Sequence, residues 1–438
     1  MLLHIGIDDT DSPEGGCTTY VAALIVERLE AMGCKFVDYP NLLRLNPNAP
    51  WKTRGNGSIC LRVDAPEGKE AEIKKIVIDI VEAQAEFHCD NTNPGVVFHI
   101  GDVPAALKVF HDDVVQTIVH LEEAERLIAD YCASAVAWKN RRGLIGALAA
   151  IGGTLEKDHT YELLTYRVAE NRGKKRQVYP ESVRKVEEAL PETFNSVDPE
   201  TGQVLIAPRG PDPVLYGVRG ETPDSVLAAM KMIDVGEPME RWCIFKTNQG
   251  TDAHLTRSYT VSGLKPRYPS IVTGFVEGKH RIIEGGHVIF TIEDDSGHLD
   301  CAAYEPSGRF REVITRLREG DEVRVAGGVR ETEVGFTLNL ERLEVLSLVT
   351  EQKLVNPRCP ICGGPTESMG RGQGLRCKSC GYRESGLVKV LEEVLRELKL
   401  GIYLPPPRAE RHLTKPFKRY GKEKSGAPIV LTRPWHLD

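Results

Sequence analysis

The sequence contains no apolar run near the ~18 residues that a membrane-spanning helix needs. This excludes an integral helical membrane protein, and no membrane partner is expected. Its start has no basic segment leading into a signal-type apolar core, so nothing directs the chain to export and a cytoplasmic location is expected. It has no G-x-x-x-x-G-K-[ST], so a nucleotide site here would not be a P-loop. A basic balance is also missing. The formal net charge is −7, which argues against uniform non-specific binding of nucleic acid. Cysteine is too uneven for a disulfide framework: of eleven, four cluster near the C-terminus and the rest are scattered, as suits reduced thiols plus a metal site. With 27% charged and 41% hydrophobic residues in 438, the chain is globular and long enough for three or four domains. The local excess of positive charge is the stretch from Pro405 to Asp438, with eight Lys/Arg against three Asp/Glu.

The chemistry is expected at the start. Leu2 to Ile7 reads as a short apolar strand, followed at once by Asp8, Asp9 and Asp11. Carboxylates crowded at the end of a buried strand repel one another, and Mg²⁺ would relieve them, since it binds through one or two carboxylates plus substrate phosphates. Pro13-Glu14-Gly15-Gly16 is a turn without bulk. Thr18 and Thr19 then stand where an N-cap belongs, before Val21, Leu24, Ile25, Leu29 and Met32 at helical spacing, with Gly33 as the stop. A glycine turn that feeds a helix N-terminus favours phosphate, because free N–H groups and the helix dipole both point there. The same residues would also serve as an ordinary Asp-rich turn and a threonine cap.

Two further polar loops abut strands. Trp51-Lys-Thr-Arg-Gly-Asn-Gly-Ser58 precedes a strand from Ile59 to Val63. There Lys52 and Arg54 flank Gly55, Asn56 and Gly57, a pattern that suits polyphosphate or, alternatively, a charged hairpin turn. His88-Cys-Asp-Asn-Thr-Asn-Pro-Gly95 leads into a strand from Val96 to Ile100. With a helix from Glu70 to Ala85, this makes the first part α/β, its polar loops able to meet at one edge of a sheet. Arg142 to Ile151 reads as a tightly packed helix. Strands at Tyr161–Val168, Val204–Ala207 and Val214–Val218 with helices at Ser182–Leu190 and Pro223–Met232 suit a ferredoxin-like α+β sandwich. Its loop Ala207-Pro-Arg-Gly-Pro-Asp-Pro213 presents Asp212 rigidly. From Ser270 to about Leu348, five strands with a helix at Phe310–Arg318 after the third follow the order of an OB-fold, which binds oligonucleotides, although aromatics for stacking are sparse there.

Cys359-Pro-Ile-Cys362 and Cys377-Lys-Ser-Cys380 form C-x₂-C-x₁₄-C-x₂-C, with Gly363, Gly364 and Gly381 for the knuckle turns. A closed set of four cysteines suits structural, tetrahedral Zn²⁺. A helix from Leu387 to Leu398 is expected after it.

These motifs, in this order, resemble the archaeal 2-agmatinylcytidine synthetase family that modifies an isoleucine tRNA, over essentially the whole chain. The matching stretches are Gly6-Ile-Asp-Asp-Thr-Asp-Ser12 with Thr18, Trp51 to Gly57, Thr92-Asn-Pro-Gly95, Gly143-Leu-Ile-Gly-Ala-Leu-Ala-Ala150, Gly210-Pro-Asp-Pro-Val-Leu-Tyr-Gly217, the OB-fold and the zinc ribbon. The resemblance implies a multidomain α/β and α+β protein. Its expected parts are an ATP-binding kinase-like domain over 1–122, a ferredoxin-like domain over 123–248, an OB-fold β-barrel over 265–350, a zinc ribbon over 355–400 and a basic tail over 401–438. It also implies a ligase that uses ATP to join agmatine to C2 of the wobble cytidine of the AUA-decoding isoleucine tRNA, through a cytidine phosphorylated on O2. On that reading Asp8, Asp9, Asp11 and Thr18 are catalytic, with Thr18 matching the family's autophosphorylated threonine. Gly15, Gly16, Lys52, Arg54, Gly55, Asn56 and Gly57 would hold ATP, and Asp212 is the candidate for one end of agmatine. Two rivals are a non-catalytic single-strand-binding protein, which leaves the aspartates and the Lys52 loop without a role, and a small-molecule kinase with a nucleic-acid anchor.

Overall fold

A computed structural model describes residues 1–333, 335–386, 388–426 and 431–437. Ten strands form its main sheet: β1 (Leu2–Asp8), β2 (Lys35–Phe36), β3 (Asn41–Arg44), β4 (Gly57–Asp64), β5 (Gly95–Ile100), β6 (Ser134–Ala137), β7 (Thr160–Arg167), β8 (Thr193–Phe194), β9 (Val214–Gly220) and β10 (Met239–Thr247). Their order is β6-β5-β1-β4-β3-β10-β7-β9-β8, with β2 added beside β4. Neighbours are antiparallel except β3 and β10, which run parallel over two residue pairs, Lys246 with Asn41 and Thr247 with Leu42. At that short joint the N-terminal unit and the ferredoxin-like unit become one sheet. One apolar core runs through both, from Leu3, Ile5 and Ile7 on β1 to Tyr166, Val218 and Phe245.

Helices α1 (Thr18–Ala31) and α2 (Glu70–Gln84) cover one face of the first unit; α3 (Ala105–Gln116), α4 (Leu121–Tyr131) and α5 (Gly143–Gly152) cover the other. The helix α5 is buried at nine of ten positions. It can lie this deep because glycine removes side chains wherever backbones meet. A Cβ on Gly6 would stand 2.0 Å from the Ala147 carbonyl oxygen, and one on Gly95 2.3 Å from the Gly143 carbonyl carbon. Helices α6 (Pro180–Ala189) and α7 (Pro223–Met232) pack on the second unit. The expected strand over Val204–Ala207 is absent. Only Val204 bridges, to Val197, because the proline-rich loop leaves immediately.

The barrel consists of β11 (Pro269–Ile283), β12 (His287–Asp294), β13 (Gly297–Ala303), α8 (Phe310–Thr315), β14 (Glu322–Thr332) and β15 (Gly335–Ser347). Parallel pairing of β13 with β15 closes it, and its own apolar core fills it. The chain then runs out along β16 (Glu351–Val355) to the zinc ribbon, whose strands are β17 (Thr366–Ser368), β18 (Leu375–Cys377) and β19 (Arg383–Glu384). It returns along β20 (Val390–Val394) and joins the barrel again through β21 (Gly401–Tyr403), paired with β15. This corrects the expected helix over Leu387–Leu398, of which Leu387 lies outside the described residues. The segment must retrace β16, and an antiparallel ribbon with Leu354 opposite Leu391 does so.

The described residues of the C-terminal stretch form a strap tied to the body. Arg408 meets Asp198 at 2.8 Å, Arg419 meets Asp158 and Glu221 at 2.8 Å each, and Arg433 meets Glu30 at 3.0 Å. Trp435 is buried edge-on against Phe36 and Tyr39, and its carbonyl accepts from the Ile244 N–H on β10 at 2.8 Å. Its basic charge is therefore largely matched by the acids of the body. No helix among the described residues is long and apolar enough to cross a membrane.

Candidate active site

The antiparallel pairing gathers the polar loops. The strand β1 runs opposite to both β4 and β5. The loop after β1 and the loops before β4 and β5 therefore lie at the same end of the sheet. The N-terminus of α5 arrives there too. Gly146 on its first turn lies against Asp8, close enough that a Cβ would stand 1.9 Å from Oδ2.

Two chambers open at this end. The smaller, about 90 Å³, is lined by Asp8, Asp9, Asp11, Lys52 and Arg142, with Trp51, Leu45, Val114, Ile118 and Val119 on its apolar side. Asp9 adopts a left-handed backbone (φ 58°), which turns the chain back at the end of β1. Its carboxylate lies 3.4 Å from Arg142. Burial pushes its pKa up to about 6, with Asp11 adding to the rise and Arg142 opposing it. Burial and the charge on Asp9 raise Asp8 well above the usual carboxylate range. Two adjacent, half-buried carboxylates that resist ionisation suit a divalent cation, and Asp8 and Asp9 are the residues that would hold it. Lys52 lines the chamber and donates to the Pro47 carbonyl. From the third loop, Thr92 donates to the Asp11 carbonyl at 2.9 Å, and the Asn91 carbonyl accepts from Arg142.

The larger chamber, about 410 Å³, lies between the two units and shares Asp11, Asn56 and Gly57 with the smaller. Arg54 is its bridge. Its Nε meets Asp11 at 3.2 Å, one terminal nitrogen donates to the Gly16 carbonyl at 2.6 Å, and the other lies 3.2 Å from Asp212. Asp212 is thus in the chamber wall, held between Arg54 and Arg176. Gly55 and Asn56 also line it, Asn56 with a left-handed φ of 47°. Thr18 lines it as the first residue of α1, its hydroxyl accepting from Thr10 at 3.0 Å. It is not the cap: Cys17 occupies that position and makes no side-chain capping bond. Gly15 and Gly16 line neither chamber but a separate hollow beside Tyr20, Glu86 and Arg172.

Sequence reasoning missed Arg142, Glu162, Arg219, Glu410 and His412, which line the two chambers. Glu162 had a readable signal, a carboxylate in a strand buried at every position. It meets Arg219 at 3.1 Å and Arg44 at 3.7 Å. Arg44, burial and Arg219 keep His412 neutral, its pKa well below the ordinary histidine value.

Outside the lining of both chambers, the sulfurs of Cys359 and Cys380 lie 3.6 Å apart and those of Cys362 and Cys377 3.5 Å apart, and all four are within 4.8 Å of one another. Tetrahedral zinc with Zn–S of ~2.3 Å needs sulfurs roughly 3.8 Å apart, so the set fits. Backbone N–H groups of Cys380 and Ser379 lower the Cys377 thiol to about 6, towards the thiolate that binds metal.

With this geometry in hand, comparison with known proteins is decisive. Family models match as the TiaS TCKD domain over 4–139, the TiaS FLD domain over 141–254, an OB-fold nucleic acid binding domain over 271–346 and the TiaS C-terminal zinc ribbon domain over 356–398. The isoleucine-tRNA 2-agmatinylcytidine synthetase TiaS of Pyrococcus horikoshii is 44% identical over 419 residues, 95% of this chain and 97% of its own. The chain belongs to the TiaS family. The Methanocaldococcus jannaschii TiaS is 43% identical over 430 residues, 95% of this chain and 99% of its own. Among solved structures, apo TiaS superposes with a TM-score of 0.86 at 39% identity, covering 96% of this chain and 98% of that one. A complex of TiaS with isoleucine tRNA, AMPCPP and agmatine superposes at 0.80 with 37% identity, covering 96% and 97%. TiaS domain models thus account for both units that build the chambers, while the strap, which adds Pro407 to the wall of the larger one, follows the last of those domain segments.

Proposed function

We propose that this chain is an ATP-dependent ligase that joins agmatine to C2 of the wobble cytidine of an AUA-decoding isoleucine tRNA, working in the cytoplasm. The observation that carries the reading is the pair of chambers sharing a wall of Asp11, Asn56 and Gly57, one acidic with an apolar side and the other between the two units. It is supported by the names of the relatives and by the tRNA, ATP-analogue and agmatine complex of a family member.

Cytosine C2 is a poor electrophile because its oxygen leaves badly. Transfer of a phosphoryl group from ATP to O2 makes that oxygen part of a good leaving group. The primary amine of agmatine then adds to C2, loses a proton, and phosphate departs with the original oxygen. In this account Asp8, Asp9 and Asp11 position metal and phosphate, and Lys52, Arg54, Gly55, Asn56 and Gly57 cradle the polyphosphate. Gly15 and Gly16 act indirectly, through the Gly16 carbonyl that holds Arg54. Mg²⁺ bound by Asp8 and Asp9 would neutralise charge on the transferring phosphoryl group. Thr18 accepts a phosphoryl group in turn, and the free N–H groups of the first turn of α1 favour the product's charge. Asp212 lines the agmatine chamber with a charge shared between two arginines. The cytidine must leave its stack to reach the chambers, as bases do in enzymes that modify them, and the OB-fold and zinc ribbon grip the tRNA. ATP turnover measured with tRNA and agmatine, then with each omitted, tests this. A synthetase forms the tRNA adduct only when tRNA and agmatine are both present, whatever ATP it consumes without them; a kinase with an anchor consumes ATP and forms no adduct, and a binding protein does not consume ATP.

A further inference from the structure

The strap places one carboxylate in the larger chamber that nothing else there neutralises. Four carboxylates line that chamber: Asp11, Glu162, Asp212 and Glu410. The first three are each paired with arginine, at 3.2, 3.1 and 3.2 Å. Glu410 has a single polar partner among the described residues, the Asn195 amide, which donates to Oε2 at 2.6 Å, and no ion pair. The nearby arginines of the strap face elsewhere, Arg408 to Asp198 and Glu200 and Arg411 to Glu341. Burial pushes the Glu410 carboxyl up to about 7, opposed by the Asn195 bond and by Arg219, with Asp252 adding to the rise. Such a group gains most from an incoming cation.

Its position is fixed from both sides. Arg408 anchors the chain two residues before it, and His412, two residues after, bonds Gln249 at 3.1 Å and Arg219 at 2.9 Å. Asn195 directly follows β8, the far edge strand of the sheet, whereas the wall shared with the acidic chamber belongs to the loops around β1 and β4. A substrate whose reacting amine is at the shared wall points its other end away from it. Leu164, Phe194, Leu205 and Ile206 give the chamber apolar surface for an alkyl chain.

We propose that Glu410 is a specificity residue that receives the guanidinium end of agmatine, completing the site from the C-terminal strap. This rests on the proposed ligase function. A planar carboxylate with one free oxygen edge matches the forked guanidinium, and a simple diamine has no such fork.

The test uses the full chain with its tRNA and ATP, comparing agmatine with 1,4-diaminobutane. In Glu410→Gln the agmatine KM should rise about tenfold or more, as loss of a charge-assisted pair does. The kcat at saturation, the ATP KM and the tRNA affinity should stay near wild type, and the preference for agmatine over the diamine should collapse. A purely structural role for Glu410, holding the strap to Asn195, would instead shift all three substrates together, and that result overturns the proposal. So does an unchanged agmatine KM. If Glu410→Gln does not fold, Glu410→Asp decides by the same ratios, with a smaller rise expected. Calorimetry of agmatine alone on wild type and variant separates the two claims. A wild type that makes no adduct refutes the ligase reading, while equal agmatine binding by both proteins refutes the role of Glu410.

Discussion

Replacing Gly146 by alanine should disable the acidic chamber by displacing the Asp8 carboxylate. A Cβ there would stand 1.9 Å from Oδ2 and 2.4 Å from Cγ of Asp8, where ordinary contact begins near 3.4 Å. Over an ångström of relief is needed. The helix α5 cannot supply it, because Gly143 and Ala147 are already in backbone contact with β5 and β1. The strand β1 cannot supply it either, being paired on both sides, with Asp8 opposite Gly95. The Asp8 carboxylate must therefore rotate away. Overpacking of this kind costs about 1–3 kcal/mol of stability. Misplacing a catalytic group by an ångström costs on the order of 10²-fold in rate, equivalent to about 2.7 kcal/mol. The assay is tRNA modification by Gly146→Ala, Asp8→Ala and the double variant, at a temperature where all three are folded. Because Asp8→Ala removes the atoms that clash, adding Gly146→Ala to it should cost almost nothing more, so the two losses should be strongly non-additive. Wild-type turnover in Gly146→Ala, or losses that simply multiply, would refute the reasoning.

Asp9→Ala should lower modification by ~10²-fold or more while tRNA binding survives, measured by single-turnover kinetics and filter binding. Because the Asp9 pKa is raised to about 6, the metal-free fold binds more protons than the unfolded chain between the ordinary carboxylate value and that point. Its contribution to stability is lost as pH rises through this window. The upward shift of Tm by Mg²⁺ should therefore be larger at neutral pH than at mildly acid pH, and a scan of Tm with and without Mg²⁺ reads it. Cys362→Ser should lose zinc and weaken tRNA binding while tRNA-independent ATP chemistry persists, checked by metal analysis and binding assays. Thr18→Ala should abolish a phosphopeptide that forms with ATP and Mg²⁺ alone, while Thr18→Ser should keep it; peptide mass spectrometry gives the answer.

Much of this was legible in the residues. Apolar Leu3, Ile5 and Ile7 before three aspartates announced a strand ending in a charged loop, and C-x₂-C spacing announced the zinc ribbon. What escaped depended on distant partners or on the absence of a buried face. Thr18 was expected to cap α1, but an extended Cys17 takes that place and Thr10 holds the hydroxyl. The strand β20 is largely exposed and therefore has no buried stripe to mark it, and its leucines read equally well at helical spacing. The strap showed eight cations in sequence, yet Asp158, Glu187, Asp198 and Glu221, which bind four of them, lie about 200 residues or more earlier. The same distance hid Glu410, which has meaning only beside Asn195 and the β1 and β4 loops.

The central claim is tested most directly by mass analysis of the wobble nucleoside of the AUA-decoding isoleucine tRNA after incubation with the enzyme, ATP and agmatine. The account predicts a cytidine heavier by agmatine less one water, formed only when ATP and agmatine are both present. An unmodified cytidine under conditions where the enzyme binds the tRNA and consumes ATP would contradict it.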